Sequence, residues 1–330
     1  MKTEIISQIN SAVKAVAEKV ETTPITHVYF VACGGSQALM MPAQYMLDRE
    51  ISIPAGVYNS NEFNYGTPKD LDEHSIVITC SHSGNTPETV EAARMAKEKG
   101  AISIALSNLE GSPLWEAAGY PIHYEHGPEI PMENRNKAVL YGLVFNLLKV
   151  IAPEQLDKWE KGLAAIDSLQ TAVDKALIQY KDFAVEWGKK NKRDNIIYTM
   201  GSGADYGEMY SLAICLLMEM QWINSSCIHS GEYFHGPFEI TDYDVPFIIS
   251  ISNGATRYLD ERAYAFCKKF SNNIALIDEN TFDMTGIAPE VQEYYGPLVT
   301  GAVTRAMVDS IAFERGHSLA VRRYMWQMEY

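Results

Sequence analysis

SIVITCSHSGNTPETVEAARMAKEKGAISIAL, residues 75–106, passes from one kind of local order to another and back. Residues 75–80 carry Ile, Val, Ile and Thr in a short run, the composition of a strand buried on both faces. Ser81-His82-Ser83-Gly84-Asn85-Thr86 then interrupts the apolar run with three hydroxyls and a glycine. Thr86 suits a helix N-cap, Pro87 the first helical position, and Gly100 a helix end. Residues 102–106, ISIAL, read as strand again. Strand, helix and strand in this order predict a parallel sheet covered by helices, the α/β class.

The same order extends in both directions. Upstream, HVYFVA (27–32) is a buried strand that runs into Cys33-Gly34-Gly35-Ser36 and a helix over about 37–50. A second strand, 55–58, leads into Asn59-Ser60-Asn61-Glu62. Downstream, a long helix over about 136–151 closes the unit, and 152–193 reads as a boundary with helices whose charged runs are solvated faces. The order then repeats: strand 195–200, the tight loop Gly201-Ser202-Gly203, helix 204–224, strand 246–252, helix 258–270 and strand 273–278. Helices fill roughly 290–315. The tail HSLAVRRYMWQMEY is aromatic enough that it is expected to pack down. The expected architecture is two doubly wound α/β domains, 1–155 and 156–330, each a central parallel sheet flanked by helices.

Composition narrows the function. The chain has 330 residues, 47% hydrophobic and 21% charged, enough to bury two cores. No run approaches the roughly 18 apolar residues of a membrane span, so no membrane partner is expected. The N-terminal twenty residues read as an amphipathic helix and lack the contiguous apolar core of a signal peptide. The five cysteines lie far apart without a C-x-x-C pair, which suggests reduced thiols and a cytoplasmic protein. A net charge of −15 repels phosphate backbones and argues against nucleic acid. Any phosphorylated small molecule must therefore be held by local N–H groups and hydroxyls.

Several places carry candidate chemistry. Ser81, His82, Ser83 and Thr86 lie between the end of a parallel strand and a helix N-terminus, where free N–H groups favour an anion. Cys33–Ser36 and GSGADYG at 201–207 both miss G-x-G-x-x-G, so no nicotinamide or flavin is expected. His229, Glu232 and His235 match neither H-E-x-x-H nor H-x-x-E-H, so no metal is expected; Gly231, Gly236 and Pro237 instead fix a loop that aims polar side chains. At α-helical spacing Glu219 shares a face with Leu212, Leu216 and Ile223, flanked by Cys215 and Trp222. Apolar neighbours would raise its proton affinity and make it a base near neutral pH. Arg322 and Arg323 in the tail can pair with a carboxylate or a phosphate.

Cys33-Gly34-Gly35-Ser36, Ser81-His82-Ser83-Gly84-Asn85-Thr86 and Gly231-Glu232-Tyr233-Phe234-His235-Gly236-Pro237 resemble the marks of tandem sugar isomerase (SIS) domains. CIHSGEYFHGPFEI and the ending RRYMWQMEY narrow the resemblance to the fructosamine 6-phosphate deglycases, related to the isomerase half of glucosamine-6-phosphate synthase. The resemblance implies two SIS-type domains, a homodimer or higher homo-oligomer with shared active sites, and no cofactor. It implies that Ser81, Ser83 and Thr86 hold a 6-phosphate and that Cys33, Gly34, Gly35 and Ser36 line the sugar pocket. Glu219 would move a proton between C1 and C2, with His235 assisting ring opening, in relatives from a neighbouring subunit. Glu232, Arg322 and Arg323 are candidate contacts to the amino acid. The chain opens Met1-Lys2 where the synthase has a glutaminase half, and it has no lysine after Lys269 for the synthase's imine. Both absences favour deglycation over synthesis. A plain aldose–ketose isomerase and a non-catalytic phosphosugar-binding regulator are the alternatives.

Overall fold

A computed structural model describes residues 1–329. The chain forms two compact units, residues 1–170 with 286–291, and 171–285 with 292–330.

The first unit is built on five parallel strands: β1 (His27–Ala32), β2 (Ala55–Asn59), β3 (Ser75–Cys80), β4 (Ile102–Ser107) and β5 (Tyr120–His123). Their order is β2-β1-β3-β4-β5. β3 and β4 are buried at every residue, as strands covered on both faces must be. The helices are α1 (Thr3–Val20), α2 (Gly34–Glu50), α3 (Ser60–Tyr65), α4 (Pro87–Glu98), α5 (Pro113–Ala117) and α6 (Asn136–Ile151). α1 buries Ile5, Ile9, Ala12 and Val16, one stripe at helical spacing. The helix after β1 leads to β2 on one flank of β1, while β3 pairs with β1 on its other flank. This reversal between β1 and β3 is the switch point at which open α/β sheets bind ligands, beyond the strands' carboxyl ends. Register sets Ala32 beside both Asn59 and Cys80, so three loop starts line up there.

After α7 (Leu156–Asn191), the second unit holds β6 (Ile196–Gly201), β7 (Asn224–His229), β8 (Phe247–Ile251) and β9 (Ile274–Asp278), all parallel, in the order β7-β6-β8-β9. The arrangement repeats that of the first four strands. α8 (Tyr206–Ser211), α9 (Arg257–Phe270) and α10 (Gln292–Arg315) complete it. Among the described residues no single helix is long and apolar enough to cross a membrane.

Two strands escaped the sequence reading. β5 and β7 are edge strands, and β7 (NSSCIH) buries only Ile228, so neither shows an apolar run. The larger correction concerns the expected helix 204–224. It is a short 3₁₀ turn, then α8, then a π-helix over Leu212–Met220.

Candidate active site

The 81–86 loop leaves β3 at the switch point, and every member is placed by its neighbours. Ser81 is buried, and its hydroxyl bonds that of Thr86 at 2.8 Å. Thr86 occupies the N-cap position of α4, yet its hydroxyl makes no capping bond. Ser83 and Asn85 are exposed, with the Asn85 N–H donating to Ser83 Oγ at 3.2 Å. Gly84 closes the loop at φ +65°, its N–H donating to the Ser81 carbonyl at 3.1 Å. Hydroxyls and a helix N-terminus thus converge on one loop, a ready seat for an anion.

His82 bonds Tyr124 Oη through Nδ1 at 3.1 Å and meets the His126 ring edge-on at 4.8 Å. Burial, and then the charge of His126, push its pKa down, so the neutral ring is favoured. The buried Cys80 thiol is pushed up to about 11 by burial, an effect that Ser36 and Tyr124 partly offset. Cys33 stands at the N-cap of α2, with Asn59 Nδ2 at 3.7 Å from its sulfur. Gly34 follows at φ +57°, and a Cβ there would meet open space, leaving backbone free to approach a ligand. Tyr124 was not a sequence candidate; it lies one residue past an edge strand that carries no apolar signal.

In the second unit, Glu219 lies in the π-helix. Its i→i+5 bonding shifts side chains off the α-helical face, and π-turns recur at functional sites. Of the expected apolar neighbours, Trp222 and Ile223 line one cavity with Glu219, and a charged partner joins them. Glu219 is 24% exposed at its side chain, and Arg322 Nη2 donates to its Oε1 at 2.7 Å. The tail packs down only in part: the Arg323 guanidinium lies 4.2 Å from the Trp222 ring centroid, while Tyr324, Trp326 and Met328 stay exposed. Glu219, Trp222, Arg322 and Arg323 line an open cavity of about 580 Å³.

His235 and Glu232 are exposed on the loop after β7. Tyr233 anchors that loop in the core of its unit, and Phe234 stacks under Arg262 at 4.1 Å. His229 turns inward, its Nδ1 accepting from the Gly231 N–H at 3.0 Å. His235 makes no bond to Glu219.

The Ser252–Thr256 loop after β8 occupies the place in its sheet that 81–86 holds in the first. It is filled by the protein's own carboxylates. Glu279 Oε2 accepts from the Asn253 N–H and Glu293 Oε1 from the Ala255 N–H, both at 3.0 Å. Donors already bonded to carboxylates are not open to a phosphate.

Beneath the second loop Asp205, Asp260 and Glu279 are all buried. Burial pushes Asp205 up to about 7 and Asp260 to about 6; burial and then the charge of Asp205 raise Glu279. Unfolded carboxyls titrate near about 4, so the folded state keeps protons that the unfolded state releases. The stability these groups contribute is full below about pH 4 and is lost as pH rises towards 7. Melting curves between pH 5 and 8 are expected to show Tm falling with pH, and Asp205→Asn, which cannot ionise, to flatten the slope. An unchanged slope in that variant would remove Asp205 as its source.

Residues 23–149 match the SIS domain. Fructosamine deglycase FrlB of Bacillus subtilis is 47% identical over 98% of each chain. The chain belongs to the SIS-domain fructosamine deglycase family. A fructoselysine 6-phosphate deglycase of Escherichia coli is 28% identical over 83% of this chain and 79% of its own. Among solved structures, a proposed phosphosugar isomerase from Bacillus subtilis superposes with TM-score 0.94 at 46% identity, covering 100% of both chains. The C-terminal domain of glucosamine-fructose-6-phosphate aminotransferase from Francisella tularensis gives TM-score 0.79 at 19% identity, over 96% and 94% of the two chains, and so shares the fold. The α/β architecture of parallel sheets flanked by helices is that of this family.

Proposed function

We propose that this deglycase hydrolyses 6-phosphorylated fructosamines to glucose 6-phosphate and a free amino acid. The phosphate rests on Ser81, Ser83 and Thr86, with Cys33, Gly34, Gly35 and Ser36 against the sugar. Glu219 takes a proton from C1 of the open ketoamine, giving an enaminol. Its return at C2, with the N–H proton released to balance the one taken up by O2, leaves an imine between C1 and nitrogen. Water adds to C1, the C1–N bond breaks, and the amine leaves with a proton while C1 becomes the aldehyde. The rearrangement is needed because a ketoamine C–N bond resists water and an imine does not.

The observation that carries the reading is Glu219 itself, a carboxylate set by a π-turn at the edge of an open cavity, in a member of this family. His235, exposed on its anchored loop, is assigned to ring opening, and in a homo-oligomer it serves a neighbouring subunit. We assign the enzyme to the cytoplasm and take its two sheets as the cores of two doubly wound domains, 1–155 and 156–330.

A coupled assay for glucose 6-phosphate tests this with several fructosamine 6-phosphates, beside fructose 6-phosphate alone and fructose 6-phosphate with free amine. Product is expected from the conjugates only. Turnover of fructose 6-phosphate alone would make the enzyme an isomerase, and binding without turnover a regulator.

A further inference from the structure

The carboxylate assigned as base is already engaged by an arginine from the tail. Arg322 is only 8% exposed at its side chain, with Nη2 on Glu219 Oε1 at 2.7 Å. Nη1 donates to the carbonyls of Leu319 at 2.7 Å and Val321 at 3.0 Å, and the guanidinium lies 5.4 Å from the Trp326 ring centroid. Nε is buried and has no partner. The Nε–Nη2 edge of a guanidinium is the fork that grips a carboxylate with two parallel bonds. Here that edge is half used: one bond to Glu219, and a desolvated donor left over. A buried donor without a partner carries an energetic cost that an arriving acceptor would remove. The cavity beside it joins these charges to apolar walls from Met218, Trp222 and Ile223, a lining suited to a short hydrocarbon that carries an anion.

We infer that Arg322 recognises a carboxylate on the amine part of the conjugate, and that this exchange releases Glu219 to act as base. The inference rests on the deglycase reading and adds a gate to it. A sugar phosphate without an amino acid leaves Arg322 on Glu219 and the base occupied. A conjugate with a carboxylate takes both donors of the guanidinium edge, and Glu219 is uncovered when the substrate is in place. Arg322 is thus a positioning residue for the base and a specificity residue for the leaving group.

Two fructosamine 6-phosphates that differ only in a carboxylate or carboxamide on the amino acid test the inference. The wild type is expected to favour the carboxylate at least about tenfold in kcat/KM, the scale of a hydrogen bond to a charged partner. Arg322→Gln is expected to bring that ratio near one by two opposite changes, slower cleavage of the carboxylate conjugate and faster cleavage of the carboxamide. Arg322→Lys, which keeps the charge and loses the fork, is expected to restore part of the ratio. A merely structural arginine would lower both rates together, and that result overturns the inference. Equal rates for the two conjugates in the wild type overturn it too, while leaving the deglycase reading in place. If the wild type cleaves neither, the deglycase reading falls and takes this inference with it.

Discussion

Glu219→Gln is expected to lose turnover by a factor of about 10² or more, the usual scale of a general acid–base group, while the protein folds and still binds phosphosugar. Gln keeps the length of the side chain, and its amide oxygen can still accept from Arg322 Nη2, so the contact between tail and π-helix survives. What it loses is the ability to take the C1 proton. The loss should therefore appear in kcat with KM little changed, the signature of a group that acts only in the transition state. Calorimetric titration with a phosphosugar and a far-ultraviolet circular dichroism spectrum would establish binding and fold. Near-normal turnover would remove Glu219 from the mechanism and require another base.

How much of this was visible in the sequence depended on whether local order produced the feature. HVYFVA, SIVITC and ISIAL are buried on nearly every side chain, so their apolar runs gave strands within a residue of those observed. The turn at 81–86 was equally legible, because Gly84 and Pro87 suit the passage from strand to helix. β5 and β7 were not, since an edge strand can be polar and still pair. The π-helix had no local sign: its residues, LAICLLMEM, suit an α-helix equally well, and periodicity assumes the turn it is meant to detect. The pairing of Arg322 with Glu219 spans about a hundred positions, and nothing local selects that carboxylate for the tail. The same holds for Glu279 and Glu293, whose hold on the second loop separates it from the first although Ser252-Asn253-Gly254-Ala255-Thr256 looks similar on paper.

Gly84→Ala provides the sharpest test of the first loop. At φ +65° an L-residue costs roughly 1–2 kcal/mol from backbone sterics alone. Space adds more: a Cβ there would lie 2.0 Å from Ser112 Oγ, 2.3 Å from Ser112 Cβ and 2.8 Å from Ser107 Oγ. Ser112 cannot retreat cheaply, because it is buried and its hydroxyl caps α5 by accepting from the Trp115 N–H. The loop must shift instead, pulling Gly84 from the Ser81 carbonyl and the Leu114 N–H from the Gly84 carbonyl. That motion disturbs the Ser81–Thr86 pair assigned to the phosphate. The expected result is a rise in KM of about 10² or more, the scale of losing two charge-assisted bonds, with kcat far less affected. Adding Ser112→Gly to Gly84→Ala removes the nearest obstruction and should recover part of KM, less what the lost cap costs. On a fructosamine without phosphate the wild type should be poor and Gly84→Ala no poorer, since the disturbed loop then has nothing to hold. A folded Gly84→Ala enzyme whose KM for the phosphorylated conjugate stays within twofold of the wild type would move the phosphate away from residues 81–86.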